Sequence, residues 1–326
     1  MIYLTDYISD PSIELEIIGN KLQCFSDNIS DKQSIEVLLI WHFLANKKNL
    51  ESYPNLKAIV RYGVGFDNVD LDYCKENEIK VFNNPDYGVD EVSDTALAMI
   101  MSLSRCIGFY NKTSKNLTTK PSEDLPWQEN INQNALRLKE SIIGIVGVGR
   151  IGSALANKMK NIVGNVHFYD PYVNPGYEKV LGAIRHDTLD SLLSCSDIVS
   201  IHTPLNSETK GFINHAFIDS MKPGSILVNT ARGSLLESHS CLFDGLVSKK
   251  IGAIGLDVLP EEPPMLNEND KLLNSWLDSN SELSHKIIIN PHTSYYSPAS
   301  YKEMRVKAAT MALNALNNNQ THNQIV

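Results

Sequence analysis

Arg232, Glu262 and His292 are the residues of this chain whose types suit them best to work together. Each follows an apolar run that reads as a strand: "SILVNTA" before Arg232, "AIGLDV" before Glu262 and "KIIINP" before His292. Open α/β sheets bind ligands beyond the carboxyl ends of their strands, so three such residues at three strand ends point to one site. A guanidinium offers a planar fork to a carboxylate and a positive field beside a carbonyl oxygen. Imidazole can give a proton near neutral pH to an oxygen that gains charge as hydride arrives. A neighbouring carboxylate favours the imidazolium and fixes the ring. The set therefore fits carbonyl reduction, with Arg232 orienting, His292 as acid and Glu262 in support. Taken singly, each has a plainer reading: Arg232 can pair structurally with Glu262, and His292 can be a satisfied loop histidine.

Such a reaction needs a hydride donor, and "IIGIVGVGRIG" over 142–152 is the place to hold one. An apolar run breaks into Gly147, Gly149 and Gly152, and Ile151, Leu155, Met159 and Ile162 follow at helical spacing. The glycines thus sit at a strand-to-helix turn. Gly147 permits the turn, Gly149 lets backbone approach a pyrophosphate, and Gly152 lets the helix pack close, with phosphate at the positive helix end. The next strand, "VHFYD", ends at Asp170, whose carboxylate suits ribose hydroxyls and repels a 2′-phosphate. NAD is the expected cofactor, although an aspartate there can also be a cap or turn residue.

The elements that must position these groups follow from the same apolar runs. Strands are expected over 142–147, 166–170, 197–202, 226–230, 254–258 and 287–290, separated by helix-length stretches. That is a doubly wound parallel sheet of Rossmann type. Upstream, "SIEVLLIW", "LKAIVRYG" and "IKVFNN" suggest a second, smaller α/β layer. The 326 residues suit two domains at roughly 150 residues each, with a boundary expected near 112. "VSDTALAMIMSLSRC" over 92–106 is apolar on several sides, and a helix there is expected to be buried between two bodies or two subunits. The polar stretch over 110–130 lacks periodicity and reads as a surface linker, and the final "NNNQTHNQIV" as frayed.

A net charge of −9 argues against general nucleic-acid binding, and no run approaches the roughly 18 apolar residues of a membrane span. No basic n-region opens the chain, so a cytoplasmic protein is expected. The five cysteines stand far apart, read as buried free thiols, and form no metal-binding pattern with histidine along the sequence. No metal is expected.

Six ordered blocks, "RYGVGFDNVDL", "GIVGVGRIG", "HTPLNSETKGFIN", "LVNTARGSLLE", "GLDVLPEEPP" and "NPHTSYYS", make the chain resemble the D-isomer-specific 2-hydroxyacid dehydrogenases over nearly its whole length. "VRYGVGFDNVD", "FYDPY" and "PHTSYYSPASYKEMR" look most similar to the branch of the C-terminal binding protein corepressors and their bacterial relatives. The resemblance implies a flavodoxin-like substrate domain over 1–112 and 296–326 and a Rossmann NAD domain over 113–295. It implies a homodimer that interconverts a 2-keto acid and a D-2-hydroxy acid, and it places the Arg–Glu–His set on Arg232, Glu262 and His292. It further implies carboxylate contacts from Val64 and Gly65, with Arg61 as a second positive charge near the substrate. Cofactor contacts are implied at Arg150 and Ile151 (pyrophosphate), Asp170 (ribose), Thr203 and Pro204 (adenosine), Thr230 and Ala231 (nicotinamide ribose) and Asp257 (carboxamide). Two departures stand out. Tyr295 replaces the tryptophan of the corepressor branch, which implies a smaller, hydroxyl-bearing pocket wall. The segment "NENDKLLNSWLDSNSELSHK" is long for the family, and its Trp276 reads as surface elaboration. Two alternatives accompany this reading: a dehydrogenase for a dianionic, for example phosphonate-bearing, keto acid held by Arg61 and Arg232, or an NADH-sensing interaction protein.

Overall fold

The structure is a computed structural model and describes residues 1–25, 31–119, 127 and 131–326. It divides into two compact units, residues 1–88 with 295–326 and residues 89–294. Each is an α/β unit built on one parallel sheet.

The first unit carries β1 (Ile2–Leu4), β2 (Leu22–Gln23), β3 (Val37–Ile40), β4 (Ala58–Arg61) and β5 (Lys80–Phe82) in the order β2-β1-β3-β4-β5. This is the flavodoxin-like order. β3 is buried along its whole length, because the sheet is covered on both faces. Val37 and Leu39 pack with Met304, Ala308 and Ala312 of the helix Pro298–Leu316, whereas Leu38 and Ile40 pack with Leu50 and Cys74. β1 and β2 escaped the sequence reading, since runs of three and two residues carry too little pattern. The terminal segment, expected to fray, is held instead. Ile325 N–H donates to Val81 O (2.7 Å) and Val81 N–H to Val326 O (3.1 Å), which covers the edge of β5.

Asp6 lies just past β1 and ties it to the end of β3. Its carboxylate accepts from the Trp41 and His42 backbone N–H groups (2.8 and 2.7 Å) and from the Thr5 hydroxyl (2.8 Å). Burial opposes ionisation, but the bond with the His42 side chain and the three others outweigh it and bring the carboxyl down to about 2. A depressed carboxyl stabilises the fold above its unfolded value near 4 and loses that effect as pH falls towards 2. Asp6→Asn should therefore cost about 2 kcal/mol at neutral pH. The gap between wild type and variant should narrow below pH 4, which urea unfolding at pH 7 and pH 3 would check.

The second unit carries β6 (Ile142–Val146), β7 (Asn165–Tyr169), β8 (Ile184–Arg185), β9 (Ile198–Ile201), β10 (Ser225–Asn229), β11 (Ile251–Leu256) and β12 (Ile287–Ile289). Their order, β12-β11-β10-β9-β6-β7-β8, reverses direction at β6 and β9, which makes the sheet doubly wound. All six strands expected here are present, and β8 is an added two-residue edge strand.

The helix Val89–Ser104, expected between two bodies or subunits, packs on the sheet of its own unit. Ala96, Met99, Ile100 and Leu103 join the core beside β10 and β11, and Gly255 lets Met99 come close. The following stretch is not a linker at its start but the helix Ile107–Thr119. Phe109 stacks edge-on against His285, and Lys112 donates to Ser281 O and Ser284 Oγ (both 3.3 Å), so tertiary contacts hold a sequence of weak helix formers. Residues 120–126 and 128–130 of the expected linker lie outside the described residues. Trp276 is likewise no surface ornament, because the helix Lys271–Leu277 packs it against the core with Leu272 and Leu273.

Among the described residues no single helix is long and apolar enough to cross a membrane; Val89–Ser104 with the helix after it passes only as a pair bent by 53°. Cys74 and Cys241 are buried as expected, but Cys24, Cys106 and Cys195 are only half-buried.

Candidate functional site

The glycine turn shows a different need at each glycine. Gly147 has φ +88°, and a Cβ there would meet His202 O at 2.9 Å. Gly152 lies so close to the turn that a Cβ would fall 2.0 Å from Gly147 O. Gly149, at the N-cap of the helix Arg150–Met159, is different, since a Cβ there would meet nothing within 4 Å. Space above a helix N-terminus is what a pyrophosphate requires.

Asp170 braces this turn. Its Oδ2 accepts from Val148 N–H and its Oδ1 from Tyr172 N–H, both at 2.9 Å. The turn-residue reading of Asp170 thus holds, and each oxygen keeps acceptor capacity for a ribose hydroxyl. Past β9, burial pushes the His202 imidazole down to about 4, so the ring is neutral and shares a 2.8 Å bond with Ser200. The Thr203 and Thr230 hydroxyls, just beyond β9 and β10, are buried without a protein partner among the described residues. Buried hydroxyls ordinarily find partners. A ribose or amide group would supply them, so these residues fit a dinucleotide.

Arg232 follows β10 on a turn that Asn229 holds through Ala231 N–H (3.0 Å) and Arg232 O (2.9 Å). Its Nη1 donates to Ala231 O at 2.8 Å. Gly233 explains how close the neighbouring loop comes, because a Cβ there would sit 1.9 Å from Leu259 O. On that loop Glu262 accepts from Leu259 N–H through Oε1 (2.8 Å) and bonds His292 Nδ1 through Oε2 (2.7 Å). Burial acts to raise the Glu262 carboxyl, but the His292 bond, the Leu259 N–H and the Arg232 charge prevail and hold it below the usual range. It remains an anion at neutral pH.

His292 adopts φ +55°, a left-handed conformation uncommon outside glycine. Asp257, fully buried, accounts for it. Its carbonyl accepts His292 N–H (2.8 Å) and its carboxylate accepts Thr293 and Ser294 N–H (3.1 Å each). Asp257 therefore sets the turn that aims the imidazole at Glu262. The sequence reading missed this brace, as it did Asn229 and Gly233. Asn229 and Gly233 lie inside the quoted "LVNTARGSLLE", yet only the fold reveals what they touch.

In the first unit Arg61 ends β4, folds over Gly63 and donates from Nε to Asn68 Oδ1 (3.0 Å). Val64 and Gly65 lie in the following loop, where Val64 O accepts from Asn83 Nδ2 (2.6 Å). Tyr295 packs edge-on against Trp41 and Tyr87, each at 6.2 Å between ring centres. Arg150 and Ile151 open the helix Arg150–Met159, and Pro204 and Ala231 sit in the turns after β9 and β10.

Residues 97–294 match the model of the D-isomer specific 2-hydroxyacid dehydrogenase, NAD binding domain. The chain belongs to the D-isomer specific 2-hydroxyacid dehydrogenase family. Among this family's proteins it is 35% identical over 229 residues to glyoxylate reductase of Thermococcus litoralis, covering 70% of this chain and 68% of that protein. It is 29% identical over 291 residues to C-terminal-binding protein 1 of Caenorhabditis elegans, covering 87% of this chain but only 38% of that longer protein. The fold is similar to that of D-lactate dehydrogenase from Aquifex aeolicus, complexed with NAD and lactic acid, at TM-score 0.83 and 26% identity over 98% of this chain and 96% of that one.

Proposed function

We propose that this protein is an NAD-dependent oxidoreductase that interconverts a 2-keto acid and a D-2-hydroxy acid. The observation that carries the proposal is the His292–Glu262 hydrogen bond, with Arg232 near enough to act on the Glu262 charge. Family membership and the fit of the glycine turn to a dinucleotide support it.

When bound, the nicotinamide supplies the hydride. His292 turns Nδ1 to Glu262, which leaves Nε2 to deliver a proton to the substrate oxygen. Glu262 holds the ring in place and offsets its charge. Arg232 binds the substrate carboxylate and draws electron density towards the carbonyl oxygen. Arg61, Val64, Gly65 and Tyr295 are proposed substrate contacts, and Arg150, Ile151, Asp170, Thr203, Pro204, Thr230, Ala231 and Asp257 proposed cofactor contacts. The Asp170 carboxylate favours NADH over NADPH by charge. The finer placement near the C-terminal-binding-protein branch is supported by Arg61 and by the match to the nematode protein, and with it a homodimer is proposed.

NADH oxidation against a panel of 2-keto acids varied in size and charge, with NADPH as control, tests the proposal. Selective turnover with NADH is expected, and NADH binding without turnover on any member would overturn it. Gly149→Ala separates cofactor binding from folding. Its backbone has φ −67° and its surroundings are open, so stability should stay near that of wild type. NADH affinity should fall at least tenfold, or by about 1.4 kcal/mol, as read by fluorescence titration beside a thermal melt.

A further inference from the structure

Three side chains outside the candidate active site converge on one point. His167 lies on β7, His186 follows β8 and Cys195 ends the helix Leu189–Cys195. Separations of 28 and 9 residues concealed the cluster in the sequence, where no cysteine–histidine pattern was expected. The fold removes that separation by placing β8 beside β7 and packing the helix against β7.

His167 Nδ1 lies 2.9 Å from His186 Nε2, and Cys195 Sγ lies 3.7 and 3.8 Å from these two nitrogens. A triangle with those sides has a circumscribed radius of about 2.0 Å, so one point is equally near all three atoms at the scale of zinc–nitrogen bonds (about 2.0–2.1 Å). A slight displacement from their plane reaches the zinc–sulfur length of about 2.3 Å. We propose that His167, His186 and Cys195 form a metal site of the zinc class, with a fourth position open to water.

The surroundings prepare the ligands. Ser191 spends its one hydroxyl hydrogen on Thr188 O (2.8 Å), so it accepts from His186 Nδ1 at 2.8 Å. That bond fixes the tautomer of His186 that leaves Nε2 as a bare lone pair, the outer-shell arrangement common at metal-binding histidines. Without metal, His167 Nδ1–H donates to that lone pair. On binding, the His167 proton moves to its Nε2, the Cys195 thiol proton leaves to solvent, and lone pairs on two nitrogens and the thiolate bond the ion. His167 is buried, whereas His186 and Cys195 are half-buried and give a path for entry.

The test is titration of the metal-free protein with Co²⁺, followed by absorption, then displacement by Zn²⁺. One equivalent should bind with a thiolate-to-cobalt charge-transfer band. Cys195→Ser should lose the band and weaken Zn²⁺ binding at least tenfold; His186→Gln should weaken Zn²⁺ equally, while Cys106→Ser changes neither. Both site variants replace half-buried groups, and metal-free melts of each would establish that they fold. A band that survives Cys195→Ser, or wild-type Zn²⁺ affinity no greater than that of Cys195→Ser or His186→Gln, would overturn the proposal. Neither result bears on NADH oxidation, so this test fails or succeeds apart from the proposed dehydrogenase activity.

Discussion

His292→Asn is expected to lower kcat for 2-keto acid reduction by about 100- to 10,000-fold, the usual contribution of a general acid, while NADH affinity changes less than twofold. Asparagine is the informative replacement. At φ +55° an alanine would carry backbone strain, whereas asparagine tolerates the left-handed region and can still face Glu262. What it lacks is a transferable proton. Steady-state kinetics with NADH, beside fluorescence titration of NADH alone, separates the chemical step from binding. A loss confined to KM would mean that His292 only binds substrate. Glu262→Gln should give a smaller loss in kcat, because the Leu259 N–H can still hold its side chain and a neutral amide can still orient the ring. Near-normal turnover in His292→Asn would show that another group delivers the proton.

The expectation for His292 came from residue type and strand position, and those two signals carried much of the site. Runs rich in Ile and Val located every interior strand except the three-residue β1, since a buried parallel strand leaves a largely hydrophobic record. The glycine turn was equally plain, because the needs of Gly147 and Gly152 are steric and only glycine meets them. What stayed hidden depended on contacts between distant segments. The resemblance implies only a cofactor contact for Asp257, yet its carboxylate also shapes the His292 turn 35 residues away. β8 has two residues, too few for any period to register. The helix Ile107–Thr119 has a polar composition that suggested a loop, and Phe109 and Lys112 hold it through partners near residue 285. The terminal Ile325 and Val326 were outweighed by the asparagines before them, although an open sheet edge is an attractive place for two apolar residues.

Glu14→Ala should destabilise the first unit by about 3–5 kcal/mol, the cost of leaving one member of a buried ion pair alone. Glu14 is fully buried, and Arg305 is 5% exposed. The Glu14 carboxylate accepts from Arg305 Nε at 2.8 Å and Nη2 at 2.5 Å, and from the Tyr62 hydroxyl at 2.8 Å. This network joins the helix Ser12–Ile18 to Pro298–Leu316, so it closes the first unit across almost the whole length of the chain. Burial, and then the Glu14 charge, hold the Tyr62 phenol far above its usual value, so in the wild type Glu14 is the anion of this network. In Glu14→Ala the guanidinium would keep, among the described residues, the Asp10 carbonyl, to which Nη2 already donates, the charge of the Asp10 carboxylate and the face of Tyr301. Trp41 provides the readout, because it packs 5.9 Å from Tyr62 within the same unit. Denaturant unfolding followed at Trp41, with Trp127 and Trp276 replaced by phenylalanine in both proteins, should show an earlier midpoint for Glu14→Ala. The control that decides the cause is Glu14→Leu with Arg305→Met, which removes both charges and keeps the volume. Recovery of most of the lost stability would place the penalty on the orphaned guanidinium, whereas no recovery would place it on the Tyr62 hydroxyl left without its acceptor.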